Sequence, residues 1–382
     1  MDKSMKRILV TGGAGFIGSA VSNKLVQAGH SVTVVDSLTE QIHGTEIDKS
    51  YLFKSLNPAV LFHKIDIRDR EQLAAVLEGI DTIVHLAAET GTGQSMYQIH
   101  KYCDVNVNGT SILLDIVATN TLNKVRKIIV SSSRSIYGEG KYYCALHGYV
   151  YPNSRDKYKL DIGDFEAKCP ECNGEIAVVD TDEDSAINPA SIYAITKLAQ
   201  EQLVLNFCKS FKISGISLRF QNVYGPGQSL ANPYTGILSI FSNRLKSNDY
   251  INIFEDGNES RDFVYIDDVT QSIVNAVDCD EYIVDAFNIG SGVSQTVISI
   301  AKKLKSIYNS NSEIKITGDY RVGDIRHCTA DISKSTKVLN FFPTINFDDG
   351  LASFVAWALT QDVIESGYEK SISEMKEKGL MK

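Results

Sequence analysis

The chain is short of positive charge and has no long apolar run. Its 382 residues include 38 Lys and Arg against 47 Asp and Glu, which gives a formal net charge of -9 at pH 7. An acidic chain does not hold a polyanion through its overall field, so a nucleic-acid partner is not expected. No stretch approaches the ~20 apolar residues that cross a bilayer, and the polar residues 1–6 do not resemble a signal peptide. A membrane partner is therefore not expected either.

Cysteine is scarce, and its seven residues are not arranged as a disulfide framework of a secreted protein. A hydrophobic content of 43% and a charged content of 22% are ordinary for a soluble globular protein. We therefore expect a reduced, cytoplasmic protein. Its length is sufficient for two or three domains with a sizeable core.

Short apolar runs alternate with amphipathic segments through the first 220 residues. The run at residues 8–10 is followed by a glycine-rich turn, a helical pattern with Ile17, Val21 and Leu25 on one face, and a second run at residues 32–35. Further strands are expected at residues 61–65, 82–86, 127–131 and 215–220, and helices at residues 70–77, 105–118 and 191–211. This alternation predicts an α/β fold with a Rossmann-type, doubly wound parallel sheet.

The segment TGGAGFIG places Gly12, Gly15 and Gly18 between the first strand and the first helix. Glycines at this spacing let the backbone approach a pyrophosphate, which the positive end of the helix stabilises. Asp36 ends the second strand, where a carboxylate accepts from the adenosine ribose and repels a 2′-phosphate. The pattern therefore predicts NAD rather than NADP. Further cofactor contacts are expected from Phe16, Ile17, Asp66, Ile67, Leu86, Ala87 and Ala88. Tight packing explains the two alanines equally well.

The segment YAITK places Tyr193 and Lys197 four residues apart, on one face of the helix expected at residues 191–211. A phenol with an ordinary pKa of ~10 is a poor base at neutral pH. A neighbouring ammonium and a cationic nicotinamide both favour the phenolate, and Ser133 at the end of a strand can share the substrate proton. An ordinary amphipathic helix explains the Tyr-Lys pair alone, but not its combination with Ser133 and the glycine turn.

These motifs together resemble the extended short-chain dehydrogenase/reductase family, in its NAD-dependent nucleotide-sugar epimerase/dehydratase branch. The resemblance covers nearly the whole chain and includes TGGAGFIG, DVNVNGT, SSSRSIYG, YAITK, RFQNVYGPG, ESRDFVYIDDV, FNIGSG and RVGDIRH. It implies that Ser133, Tyr193 and Lys197 are catalytic and that Tyr193, Lys197 and Asn106 contribute to the NAD site. It implies that the nucleotide-sugar substrate is bound by Ser95, Ser133, Asn222, Arg261, Arg321 and Asp324. A surface ion pair with Asp262 or Asp267 is the alternative explanation for Arg261.

The two residues after Ser133 bear on the reaction. Sugar 4,6-dehydratases of this family carry an Asp-Glu pair there, and similar 3,5-epimerases carry a cysteine, whereas this chain has Arg134 and Ser135. The resemblance therefore implies a 4-epimerase, which oxidises C4 of the sugar and returns hydride to the opposite face. The segments AAETGTGQSMYQI and INIFEDGNESRDFVYIDDV are similar to those of dTDP-L-rhamnose 4-epimerases. UDP-hexose 4-epimerases are one alternative, and a catalytically silent NAD-binding module is another.

The stretch CALHGYVYPNSRDKYKLDIGDFEAKCPEC separates Ser133 from Tyr193, which are much closer in typical members of the family. It is polar and turn-rich, so it needs a cross-link in place of a large core. Its Cys-x2-His and Cys-x2-Cys pairs suit a tetrahedral structural zinc site formed by Cys144, His147, Cys169 and Cys172. Free thiols or a redox-active Cys-x2-Cys are the alternatives. The Asn-Gly after Cys172 favours a turn over the helix that a redox motif needs.

The sequence predicts an interrupted domain organisation. Residues 1–137 and 187–222 are assigned to the NAD-binding Rossmann domain, and residues 138–186 to an inserted zinc-knuckle segment. Residues 223–382 mainly form a smaller α/β substrate lobe, from which residues 262–283 return to the Rossmann domain. The charged tail at residues 365–382 is interpreted as a solvated helix. The family resemblance implies a homodimer, with the helices at residues 105–118 and 191–211 as the candidate interface.

Overall fold

The computed structural model describes residues 5–119, 124–230, 232, 236–362 and 367–382. The strands are β1 (Arg7–Thr11), β2 (Ser31–Asp36), β3 (Leu61–Lys64), β4 (Thr82–His85), β5 (Lys127–Ser133), β6 (Tyr142–Cys144), β7 (Gly148–Val150), β8 (Ala177–Val178), β9 (Ser214–Phe220), β10 (Asn222–Tyr224), β11 (Ile251–Ile253), β12 (Ser260–Tyr265), β13 (Val284–Ile289), β14 (Ser294–Thr296), β15 (Ile314–Ile316) and β16 (His327–Cys328).

The helices are α1 (Phe16–Gln27), α2 (Glu40–His43), α3 (Tyr51–Lys54), α4 (Arg70–Val76), α5 (Thr92–Ser95), α6 (Ile99–Tyr102), α7 (Gly109–Thr119), α8 (Lys157–Asp161), α9 (Ile192–Phe211), α10 (Ile237–Lys246), α11 (Ile266–Asp278), α12 (Val297–Ile307), α13 (Ser333–Leu339), α14 (Phe347–Leu359) and α15 (Tyr368–Glu377). A π-helical turn at Cys103–Asn108 joins α6 to α7, and a 3-10 turn at Arg134–Tyr137 follows β5. Within the described ranges, none of these helices has both the length and the apolar character that spanning a membrane requires.

Seven parallel strands form the central sheet, in the order β13-β9-β5-β4-β1-β2-β3. Successive residues of a strand face opposite sides of the sheet. In β1, for example, Ile8 and Val10 pack with α1 and α11, whereas Leu9 packs with α4, α7 and α9. Helices thus cover both faces, as an all-parallel sheet requires. The predicted Rossmann-type fold is confirmed, and the strand order reverses at β1 and β4.

A smaller lobe follows β9. Strand β12 pairs with β10, β14 and β16, and β11 pairs with β15. Apolar side chains of α10, α12 and α14 form the core of this lobe with those sheets. The lobe therefore has its own core, separate from the two cores of the central sheet.

The structure divides residues 262–283 differently from the prediction. Helix α11 does pack Val269, Ile273 and Val277 against the central sheet. Strand β12, however, belongs to the sheet of the lobe, and the strand that extends the central sheet is β13, which pairs in parallel with β9. The apolar residues of β12 do not reveal its partners, because those partners are distant in sequence.

The insertion expected at residues 138–186 forms a three-stranded antiparallel sheet in the order β7-β6-β8. Its core is small and consists of Tyr142, Cys144, Val150, Ala167 and Cys169. Two of those five side chains are proposed metal ligands. A core of this size agrees with the expectation that the segment needs an additional cross-link.

The C-terminal tail is not a solvated helix, which corrects the prediction. Residues 365 and 366 fall outside the described part of the chain, but α15 buries Tyr368 and Met375. Beyond α15, the Leu380 carbonyl accepts a hydrogen bond from the Val322 amide at 2.9 Å. The tail therefore packs against the rest of the protein through one side of α15 and through its backbone.

A buried ion cluster joins the insertion to the lobe. The fully buried Arg326 donates to Glu255 at 2.8 Å and to Glu166 of the insertion at 2.9 Å. Arg155 of the insertion donates to the same Glu255 at 2.8 Å and to Glu139 at 3.1 Å. Breaking such a cluster leaves an uncompensated charge in the interior, which costs more than an exposed ion pair contributes.

Arg326→Ala is expected to lower the free energy of unfolding by roughly 3–5 kcal/mol, because it removes one of the two guanidinium partners of buried Glu255. Urea denaturation followed by circular dichroism measures this change. Arg70→Ala is the control, since the ion pair between Arg70 and Asp115 is exposed and its loss should cost less than about 1 kcal/mol. Equal small losses in both variants would contradict the importance of the cluster.

Candidate active site

A cavity of about 710 Å³ lies at the carboxyl ends of β1, β2, β4 and β5, next to the point where the strand order reverses. Its wall on the sheet side includes Thr11, Asp36 and Ser133, and its wall on the lobe side includes Arg261 and Arg321. Ligands of open α/β sheets bind at this position. The cavity is therefore the candidate active site.

The glycine-rich turn forms one end of the cavity. Gly12 has a φ of +66°, and a Cβ atom on Gly18 would lie 2.1 Å from the Gly12 carbonyl oxygen, so both positions require glycine. Helix α1 begins at Phe16, directly after Gly15, and both residues line the cavity together with Ile17. The turn thus leaves the space beside a helix N-terminus that a pyrophosphate needs.

The predicted acidic cofactor contacts also lie on this wall. The Asp36 carboxylate accepts from the amides of Ala14 at 3.1 Å and Leu38 at 2.9 Å, which fixes it beside the glycine turn. Asp66 pairs with Arg68 at 2.6 Å, and hydrogen bonds from that guanidinium hold the pKa of the Asp66 carboxyl below its usual value. The remaining predicted contacts that line the cavity are Ile67, Leu86, Ala87 and Ala88.

Tyr193 and Ser133 meet where β5 ends. The Ser191 hydroxyl accepts from the Ala194 amide at 3.1 Å and so begins α9, which places Tyr193 in the first turn of the helix. Burial raises the pKa of the Tyr193 phenol, and a hydrogen bond with Ser133 lowers it in part. The Ser135 hydroxyl donates to the Ser133 oxygen at 3.0 Å. The serine hydroxyls thus form a hydrogen-bonded path that ends at the phenol.

Lys197 lies one helical turn after Tyr193 and lines the same cavity. Its Nζ donates to the Ser131 hydroxyl at 3.1 Å and to the Gln200 side-chain oxygen at 2.8 Å. Burial lowers the pKa of Lys197 to about 7, although Glu201 acts in the opposite direction. In the protein alone, this amine therefore changes its charge near neutral pH.

A cation that the sequence analysis does not assign to this role acts on Tyr193. The prediction assigns the effect to the Lys197 ammonium, whose Nζ donates to Ser131 and Gln200 in the protein alone. In the structure, the guanidinium of Arg134 is the cation that lowers the pKa of the Tyr193 phenol. Sequence spacing places Lys197 and Tyr193 on one helical face, but it does not determine which way the long lysine side chain extends.

Arg261 lies on β12 and lines the cavity. Its Nη1 donates to the carbonyl oxygens of Ser260 and Arg326, each at 2.9 Å. Within the described ranges, its guanidinium forms no ion pair with Asp262, whose carboxylate instead accepts from the Ser291 amide at 2.7 Å, or with Asp267. The alternative of a surface ion pair therefore does not hold.

Asn222, Arg321 and Asp324 complete the predicted substrate contacts on the lobe side, and all three line the cavity. The Nε atom of Arg321 is buried without a hydrogen-bond partner. The Asp324 carbonyl accepts from Arg155 of the insertion at 2.9 Å. The insertion thus holds the loop that carries two of these residues.

Ser95 and Asn106 do not line the cavity, although they are predicted to contact substrate and NAD. The Ser95 hydroxyl accepts from the Tyr193 amide at 3.0 Å, so it positions the start of α9. The Asn106 side chain, in the π-helical turn, accepts from the Glu89 amide at 2.7 Å and donates to Thr196 at 2.9 Å. Both residues are fully buried and act on the position of neighbouring segments.

Several cavity residues have no role predicted from the sequence. Both polar atoms of the Gln221 side chain are buried without a hydrogen-bond partner. One carboxylate oxygen of Glu259 also lacks a hydrogen bond and lies 3.7 Å from the Arg326 guanidinium, and burial raises the pKa of Glu259 to about 7. Tyr368 and Leu380 of the tail also line the cavity. Gln221 directly precedes Asn222 in the motif RFQNVYGPG, just after the end of β9. This position in the motif was a signal that Gln221 lies beside the cavity. Nothing local in the sequence marks Glu259.

The four proposed metal ligands come together in the insertion. The ligand atoms of Cys144, His147, Cys169 and Cys172 all lie within 4.8 Å of one another. The two thiols of Cys144 and Cys172 are 3.8 Å apart, and His147 Nδ1 lies 3.5 Å from the sulfurs of Cys144 and Cys169. Zn–S and Zn–N bonds of ~2.3 and ~2.0 Å in a tetrahedron give separations of about 3.8 and 3.5 Å. The cluster therefore has dimensions that fit a tetrahedral metal ion.

The Asn-Gly that follows Cys172 forms a turn, as the sequence predicts. Asn173 has a positive φ of 57°. Asparagine tolerates this conformation better than other residues with side chains. The Cys169 amide donates to the Gly174 carbonyl at 2.9 Å, which closes the turn.

The fold and the cavity together define a Rossmann-type α/β protein in which a glycine-rich turn beside a helix N-terminus shares one cavity with a buried tyrosine and a strand-end serine. Residues 8–159 and 170–290 match the model of the NAD dependent epimerase/dehydratase family. The chain belongs to this family, and its predicted membership is confirmed.

Named relatives agree with this assignment. The chain is 36% identical to a dTDP-L-rhamnose 4-epimerase of Burkholderia thailandensis, over 92% of the chain and 94% of the relative. It is 28% identical to a UDP-glucuronate 4-epimerase of Thermodesulfobacterium geofontis, over 92% of the chain and 95% of the relative. Among solved structures, it resembles a UDP-glucuronic acid 4-epimerase of Bacillus cereus in complex with UDP-glucuronic acid and NAD. That similarity has a TM-score of 0.75, 26% identity, and coverage of 92% and 99% of the two chains.

Lys197→Met is expected to make stability less dependent on pH. The folded-state pKa of Lys197, about 7, is below that of the unfolded chain, so protonation opposes folding. The penalty is complete below pH 7 and disappears as the pH rises toward the unfolded pKa. Between pH 7 and pH 9, the free energy of unfolding of the parent without NAD should rise roughly 2 kcal/mol more than that of the variant.

Chemical denaturation at several pH values measures this difference. Lys209→Met is the control, because Lys209 is exposed on the same helix. A parent protein and a Lys197→Met variant with parallel pH profiles would show that Lys197 keeps an ordinary pKa.

Proposed function

We propose that the protein is an NAD-dependent nucleotide-sugar 4-epimerase. The single observation that carries this proposal is the meeting of the Tyr193 phenol and the Ser133 hydroxyl at a strand end in the same cavity as the glycine-rich turn. The residues after Ser133 are Arg134 and Ser135, so this position lacks the acidic pair that a 4,6-dehydratase carries. The proposal is thus reversible oxidation at C4 without loss of water.

The residues of the cavity fit NAD. A Cβ atom at Gly12 would lie 2.8 Å from the Ala87 amide nitrogen, so only glycine lets the turn pack this closely against the backbone after β4. The pyrophosphate would lie at the N-terminus of α1, directly after this turn. Asp36 would accept hydrogen bonds from the adenosine ribose, and Lys197 would contact the nicotinamide ribose. Bound NAD would supply a hydride acceptor that returns the hydride within the same cycle.

The protein itself supplies proton transfer and substrate orientation. The Tyr193 phenolate would take the proton of the sugar 4-hydroxyl and later return it, with Ser133 hydrogen-bonded to the same oxygen. Because burial raises the pKa of the phenol, ionisation depends on nearby positive charge, and Arg134 provides part of it. Arg261 and Arg321 would hold the nucleotide diphosphate.

The proposed reaction is the conversion of dTDP-L-rhamnose to dTDP-6-deoxy-L-talose. It is supported by 36% identity to a dTDP-L-rhamnose 4-epimerase over almost the full length of both chains. UDP-hexose 4-epimerisation is the second candidate, favoured by 29% identity and a TM-score of 0.73 with a UDP-glucose 4-epimerase of Thermotoga maritima. A silent NAD-binding module is less well supported, because Ser133, Tyr193 and Lys197 are all present around the cavity.

We also propose a homodimer and a cytoplasmic location. Ile195, Leu203 and Phe211 are exposed apolar residues of α9, which packs beside α7. Exposed apolar residues on this helix are consistent with the dimer that the family resemblance implies. Reduced thiols at the metal cluster are consistent with the cytoplasm.

Tyr193→Phe is expected to lower kcat by a factor of roughly 10²–10⁴, because it removes the group that transfers the proton. NMR of separate reactions with dTDP-L-rhamnose, UDP-galactose and UDP-glucuronate would identify the substrate and measure turnover. Tyr158→Phe is the control, since Tyr158 is exposed and lies outside the cavity. Parent-like turnover in Tyr193→Phe would reject the proposed mechanism. NAD binding without turnover of any nucleotide sugar would favour the silent module.

We propose that Cys144, His147, Cys169 and Cys172 bind a structural zinc ion that replaces a larger core in the insertion. The support is the separation of their ligand atoms and the position of two of them, Cys144 and Cys169, within a core of only five buried residues. With four protein ligands, such a site has no open position for a substrate.

Elemental analysis of purified protein should find about one zinc per chain. Cys169→Ser/Cys172→Ser is expected to lose the metal and to melt several degrees lower, because the insertion loses its cross-link. Cys103→Ser is the control, since Cys103 is exposed and outside the cluster. A substoichiometric metal content together with unchanged melting of the double variant would reject the zinc site.

A further inference from the structure

The arginines of the protein fall into two groups. Those that are buried outside the cavity all have a carboxylate partner, namely Arg155, Arg219, Arg244 and Arg326. Four arginines line the cavity. Arg68 pairs with Asp66 and Asp104, whereas Arg134, Arg261 and Arg321 have no ion pair in the described part of the chain. The carboxylates of Asp324, Glu259 and Glu255 act on Arg261 without forming an ion pair with it. A partly buried guanidinium without a direct counter-charge is costly, so a substrate anion is expected to supply the partner that these three guanidiniums lack.

Arg134 is the member of this group that lies next to the reaction residues. It directly follows Ser133 and begins the 3-10 turn, and its Nη1 atom is buried without a hydrogen-bond partner. Burial raises the pKa of the Tyr193 phenol and lowers the pKa of Arg261, and the Arg134 guanidinium acts on both groups and lowers both pKa values. Arg134 is thus electrostatically coupled to the proposed proton-transfer site and to a proposed phosphate contact.

The contacts of Arg134 within the protein do not satisfy its charge. Its side chain hydrogen-bonds the thiol of Cys328, which pairs with Arg261 across β12 and β16. A thiol is a weak acceptor and carries no charge. The charged neighbour on the same side is another arginine, so two like charges lie close together. An anion between Arg134 and Arg261 would reduce their repulsion and accept hydrogen bonds from the N–H groups that have no partner.

We propose that Arg134 binds an oxyanion of the substrate beside the reacting sugar and thereby contributes to the choice of substrate. This inference rests on the proposed nucleotide-sugar function and adds a residue to its site. Two sources offer the required chemistry: the β-phosphate of the nucleotide, and a carboxylate on the sugar. Both match the planar donor pattern of a guanidinium. If the sugar is L-rhamnose, which is uncharged, the β-phosphate is the partner.

The test measures binding by calorimetry to NAD-loaded protein, without turnover. The ligands are dTDP and UDP, the monophosphates dTMP and UMP, and UDP-glucuronate. Arg134→Gln removes the charge, and Arg134→Lys keeps it without the two-pronged geometry. Arg126→Gln is the matched control, because Arg126 is exposed and outside the cavity. Unchanged NAD affinity and melting temperature confirm that each variant is folded, and Arg134→Lys serves if the glutamine variant is not.

Loss of a charged hydrogen bond to the β-phosphate should weaken binding of the diphosphates by roughly 10- to 100-fold and leave the monophosphates unchanged. Arg134→Lys should give an intermediate loss. Weaker binding of UDP-glucuronate alone would support the inference with the carboxylate as the partner. Parent-like affinity for every ligand, or an equal loss for mono- and diphosphates, would overturn it.

Because no turnover is measured, this test is separable from that of the proposed function. A protein that fails to epimerise any sugar but loses diphosphate affinity in Arg134→Gln would keep the inference and reject the reaction. A protein that epimerises normally but shows no change of affinity in that variant would support the reaction and reject the inference.

Discussion

The ion cluster around Arg326 and Arg155 is the constraint on which the geometry of the cavity depends. Both guanidiniums bind Glu255, a cavity residue whose φ of 50° is unusual for a residue with a side chain. Their five carboxylate neighbours come from the insertion and the lobe, so neither part can shift without exposing a buried charge. The same Arg155 holds the carbonyl of Asp324. The insertion thus supports the wall of the cavity on the lobe side, although it lies far in sequence from the glycine-rich turn.

Buried and partly buried arginines have two different roles in this structure. Arginines that join the parts of the protein are neutralised by carboxylates, and so is Arg68 at the cavity, whereas Arg134, Arg261 and Arg321 face the cavity without an ion pair in the described part of the chain. A protein with a formal charge of -9 can still bind a doubly charged nucleotide sugar, because a few unpaired guanidiniums determine the local potential. Burial of Lys197 and Tyr193 adds a second effect: both groups are kept close to neutral in the protein alone, so their ionisation is coupled to what occupies the site.

Short-range motifs were the most predictable part of this structure. The glycine-rich turn, the Tyr193–Lys197 spacing and the Cys/His cluster each depend on neighbours in sequence, and the structure brings each set together. Strand pairings and side-chain contacts between residues distant in sequence were not predictable from one sequence. Strand β12 is apolar enough to join either the central sheet or the sheet of the lobe. Its pairing with β10 and β14 shows that it belongs to the lobe. Ser95 has a hydroxyl in the expected region, but its bond to the Tyr193 amide directs it away from the cavity. The tail buries Tyr368, Ser371 and Met375, which are three and four residues apart and share one face of α15. The many charged residues between them make this amphipathic pattern hard to recognise in the sequence.

The π-helical turn at Cys103–Asn108 has a consequence for how this region can vary. A turn of this kind accommodates one residue more than a regular helix does. Each residue of a helix rotates the chain by about 100°, so a single insertion or deletion here would swing either Asn106 or the apolar face of α7 away from its partners. Point substitutions at exposed positions of the turn leave the rotation of α7 relative to α6 unchanged. The number of residues between α6 and α7 therefore matters more for the packing of this region than the identity of most of them.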